Sequence, residues 1–66
     1  MKKEELEKLI INLPYKELSL LFKNTGFYYR PVIYNDTILW KDEDKEDNRC
    51  NIIVENNIVI KIDGWY

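Results

Sequence analysis

The chain reads as a small α+β domain: two short N-terminal helices packed on a small three- to four-stranded, mainly antiparallel sheet, with an exposed acidic loop. Three observations predict this. Apolar residues recur at helical spacing before Gly26, β-branched and aromatic residues dominate after it, and a charged run, Lys41-Asp42-Glu43-Asp44-Lys45-Glu46-Asp47-Asn48-Arg49, separates two apolar stretches. The 66 residues form one domain, with a helical part at 1–26 and a sheet part at 27–66.

Within the helical part, Leu6, Leu9, Ile10 and Leu13 lie at i, i+3, i+4 and i+7, which predicts a helix over 3–13 with its charged residues on the other face. Pro14 interrupts it and can open the next, because proline is tolerated in a first helical turn. Tyr15, Leu18, Leu21 and Phe22 then share a side, and Gly26 is the expected stop. One helix kinked at Pro14 and two separate helices satisfy this pattern equally.

In the sheet part, Phe27 to Tyr34 has strand composition, and Pro31 within it marks an edge strand or a bulge. Asn35-Asp36 reads as a turn and Thr37 to Trp40 as a short extended piece. Arg49 to Glu55 forms the next strand, Asn56-Asn57 a tight turn whose asparagines suit positive φ, and Ile58 to Asp63 the last strand. Ile58, Ile60 and Ile62 alternate with Val59, Lys61 and Asp63, so the last strand is expected to carry its isoleucines on one apolar face.

Composition limits the chemistry. A chain this short buries only about 60% of the surface its unfolded form exposes. A single cysteine, Cys50, forms no intramolecular disulfide, and there is no histidine to serve as catalytic base or zinc ligand. Cys50 sits inside a strand, as a small structural hydrophobe would. The carboxylates cluster only in a solvated loop, where nothing perturbs them for acid–base work. The expectation is a non-enzyme with no cofactor and no metal. Counted from Asp42, the sixth and twelfth positions of a calcium loop would be Asp47 and Ile53 instead of glycine and glutamate, so that template fails.

The N-terminus carries carboxylates where a signal peptide is apolar, and no apolar run nears the roughly 20 residues of a membrane span. Cytoplasmic residence is expected. Ten basic against twelve acidic residues, with five of the carboxylates at 42–47, argue against duplex binding and favour a protein partner with a basic groove. Charged loops tied to a rigid scaffold are where small proteins keep binding function. The candidate partner-binding residues are therefore Trp40, Lys41, Asp42, Glu43, Asp44, Glu46 and Asp47. A second candidate surface is aromatic, around Tyr28, Tyr29 and Tyr34; with Phe27 and Arg30 it has the ingredients of a base-stacking platform, although core and edge packing account for it more simply.

The run Thr37-Ile38-Leu39-Trp40-Lys41-Asp42, followed by Arg49-x-Asn51-Ile52-x-Val54-Glu55 and Ile58, resembles the potato inhibitor I family of serine protease inhibitors and its small bacterial relatives. The resemblance spans residues 16–63. It implies that Lys41 is the residue inserted into a protease specificity pocket, that Asp42 follows the scissile-like bond, and that Arg49 braces the loop from behind. The stretch from Asp42 to Arg49 is about two residues longer than the family spacing, only Arg49 is at hand where relatives often have two bracing arginines, and Trp40 replaces a small hydroxyl residue. A second class fits the small size, the missing catalytic groups and the Lys-, Asn- and Ile-rich composition. That class is an antagonist encoded by a phage or mobile element, which blocks a nuclease, defence effector or toxin by using the acidic loop as a nucleic-acid mimic.

Overall fold

The computed structural model describes residues 1–40 and 45–66. Helix α1 covers Lys3–Ile10, a 3₁₀ turn Tyr15–Glu17 leads into α2 at Leu18–Phe22, and four strands follow: β1 Tyr28–Tyr34, β2 Thr37–Ile38, β3 Arg49–Glu55 and β4 Ile58–Trp65. The strand order is β2-β1-β3-β4.

Two helices form, and tertiary hydrogen bonds are what separate them. At the start of α1 the Glu5 carboxylate accepts from the Lys2 backbone N–H at 3.3 Å, and Leu6 and Ile10, one turn apart, are buried. The helix stops at Ile10, short of Leu13. Asn12 takes φ 70°, and its N–H donates to the Val59 carbonyl at 2.7 Å. Val59 N–H donates back to Leu13 O at 3.0 Å, and Tyr15 N–H donates to Asn57 O at 2.8 Å. These bonds turn residues 12–15 into a strap along the outer edge of β4, which covers part of an otherwise exposed strand edge. The second helix ends at Phe22, earlier than the expected stop at Gly26. The Thr25 hydroxyl donates to Phe22 O at 2.7 Å and accepts from Phe27 N–H at 3.1 Å, closing the chain into the turn before β1.

The sheet is mixed, which corrects the expectation of a mainly antiparallel one. β1 pairs antiparallel with β2 and β3 with β4, but the central pair, β1 with β3, is parallel. The reason lies in the connection. Asn35 and Asp36, at φ 47° and 71°, reverse the chain into β2, which runs back beside β1 and returns it toward the level of Tyr28. β3 therefore starts with Arg49 opposite Tyr28 and runs alongside β1. Parallel neighbours need such a long crossover.

Cys50, Ile52 and Val54 of β3 project toward the helices and meet Leu6, Ile10, Leu18, Phe22 and Val59 in a single core. The expected apolar face of the last strand is also corrected. Register shifts in the β3–β4 pairing place Val59 and Ile62 on the core side, whereas Ile58 and Ile60 remain 38% and 45% exposed. A bulge inserts one unpaired residue and so shifts the two-residue alternation on which the sequence pattern relied. Pro31 sits where sequence placed it: β2 pairs with β1 only at Ile33 and Tyr34, and the β1–β3 register shifts just after Pro31. No helix among the described residues is long and apolar enough to cross a membrane.

Candidate functional site

The charged connection leaves the sheet after Trp40 and returns at Arg49. Lys41, Asp42, Glu43 and Asp44 lie outside the described residues. Of the other expected loop residues, Glu46 and Asp47 are exposed. Glu46 O accepts from Arg49 N–H at 3.2 Å, its carboxylate lies 3.5 Å from Asn48 N–H, and Asn48 O accepts from Tyr28 N–H at 2.8 Å. The returning stem is thereby fastened to the starts of both β1 and β3.

Behind these stems, on the sheet face away from the helices, is a polar and aromatic cluster. Alternation along β1 and β3 places Arg30 opposite Asn51, and both are buried. Arg30 Nε donates to Asn51 Oδ1 at 2.8 Å. The Asn51 amide nitrogen lies 3.3 Å from Gly64 O and 3.5 Å from both Arg49 O and Tyr66 O. The Arg30 guanidinium lies 5.0 Å from the Trp40 ring centre and 6.0 Å from that of Tyr66, within reach of a cation–π contact. Arg49 donates from Nε and one terminal nitrogen to Tyr66 O at 3.2 and 2.8 Å, while Tyr66 N–H donates to Arg49 O at 3.1 Å. Gly64, at φ 150°, leaves room for this arrangement, since a Cβ there would stand 3.3 Å from the Tyr66 ring.

Trp40 is both presented and tethered: 46% of it is exposed, its N–H and that of Leu39 point at Val32 O from 3.4 and 2.9 Å, and one face of its ring is turned to Arg30. The Tyr66 hydroxyl donates to the Asp63 carboxylate, which raises the phenol pKa; burial and the charge of Asp63 push the same way against Arg30 and Arg49. Cys50 faces the core, where burial first and the Glu7 carboxylate second push its thiol pKa up to about 12. A thiol so rarely ionised is a poor nucleophile.

The second candidate surface is not a single patch. Tyr29 and Tyr34 turn toward the helices and meet Tyr15 edge-on, with ring centres 5.9 and 5.1 Å apart, whereas neighbouring Tyr28 is 61% exposed. Tyr28 instead borders an open cleft of about 440 Å³ with Ser19, Phe22, Lys23 and Phe27. Sequence reasoning gave Arg49 a supporting role but not Arg30, which it placed with the aromatic surface, nor Asn51 and Tyr66. Nothing in either strand singled Arg30 and Asn51 out as a pair, and only the β1–β3 register shows that they meet. No protein-family model, curated protein or solved structure matches the chain.

Proposed function

We propose that this chain is a small non-catalytic binding protein that inhibits another protein through the 41–49 loop, held behind by a braced sheet. The observation that carries this reading is the frame behind the segment's two stems. Trp40, on the outgoing stem, is stacked on Arg30, which is bonded to Asn51; Arg49, on the returning stem, is bonded to Tyr66. A connection fixed at both ends loses less conformational freedom on binding than a free peptide, so more of its contact energy appears as affinity. Under the resemblance to potato inhibitor I proteins, Arg30, on the strand before the loop, would stand in for the second bracing arginine. On the same reading, Lys41 enters the pocket of a trypsin-like serine protease and Trp40 and Asp42 flank it.

The test is inhibition of trypsin-, chymotrypsin- and subtilisin-type proteases by the wild type, by Lys41→Ala and by a variant with Asp42, Glu43, Asp44, Glu46 and Asp47 replaced by their amides. The expected result is inhibition of a trypsin-like enzyme that Lys41→Ala abolishes and that the amides and added salt leave nearly intact. Rapid cleavage of the wild type as an ordinary substrate, or no inhibition of any enzyme, refutes the protease reading. Capture of a nucleic-acid-processing enzyme from lysate, lost at high salt and in the amide variant, would assign the loop to charge mimicry instead.

A further inference from the structure

We draw no further inference here: the strongest candidate, the open cleft between α2 and the start of β1, lined by Phe22, Lys23, Phe27, Tyr28 and Tyr29, carries nothing because no observation in the structure shows what covers it.

Discussion

Replacing Arg30 by methionine should nearly unfold the domain, and adding Asn51→Leu should largely rescue it. Arg30 is 7% exposed, and its Nε donates to Asn51 Oδ1 at 2.8 Å in the sheet interior. Losing a hydrogen bond from a charged donor costs about 1.5–3 kcal/mol, and leaving the buried Asn51 oxygen unsatisfied adds about 1–3 kcal/mol. The stacking with Trp40 and Tyr66 contributes about 0.5–2 kcal/mol more. Together these give about 3–8 kcal/mol. A chain of 66 residues has about 3–10 kcal/mol in total at the usual stability per residue, so Arg30→Met consumes most of it. Asn51→Leu alone should cost about 1–3 kcal/mol, because it removes the acceptor of the buried Arg30 Nε–H. The double variant removes donor and acceptor together and replaces them with apolar groups, so it should lie within about 2 kcal/mol of the wild type. Urea unfolding followed by tryptophan fluorescence and circular dichroism completes the cycle. With a slope near 1 kcal/mol per molar urea, Arg30→Met shifts the midpoint by about 3 M or more, or unfolds without denaturant, and Asn51→Leu shifts it by about 1–3 M. Additive single variants costing under about 1 kcal/mol each would refute the claim that this pair holds the site together.

Two further outcomes are expected. The Cys50 thiol ionises near pH 9 when unfolded but only near 12 when folded, so between these values the folded state holds the extra proton. Stability is thus unaffected well below pH 9 and falls by up to about 1.4 kcal/mol per pH unit above it; Cys50→Ala should flatten that slope above pH 9, and an unchanged slope would place the effect elsewhere. Trp65 Nε1–H donates to the Glu7 carboxylate at 2.7 Å and so ties β4 to α1. Trp65→Phe and Glu7→Gln should each cost about 1–2 kcal/mol, with a double-mutant coupling of similar size; a coupling near zero in thermal melts would show that the bond contributes nothing.

Much of this protein was legible in the chain because local chemistry decided it. The asparagines at 56 and 57 accept positive φ, 54° and 64° here, and so place the last hairpin turn. Leu6 with Ile10, and Leu18 with Phe22, point inward because one helical turn separates each pair. Of the two readings of Pro31, edge strand or bulge, the bulge is the one found, since β1 lies between β2 and β3. Cys50 read as a small structural hydrophobe in a strand, and it lies in the core beside Ile52 and Val54. Other features depended on residues distant in sequence. Asn12 and Leu13 leave the helix because Val59 offers them backbone partners. The last strand changes phase because its bulges answer the register of β3. The central pair is parallel because β2 turns the chain back beside β1 and β3 then opens opposite Tyr28. Arg30 and Asn51, 21 positions apart, read singly as a strand arginine and a strand asparagine, and become a buried frame only when β1 and β3 align. Composition and periodicity therefore determined which segments form helices and strands and, outside Leu9 and the last strand, much of which side chains go inward, since those depend on spacing within a few residues. Only the tertiary structure decided strand direction, bulge phase and the bracing of the candidate loop, since each requires two distant segments to be held in one register.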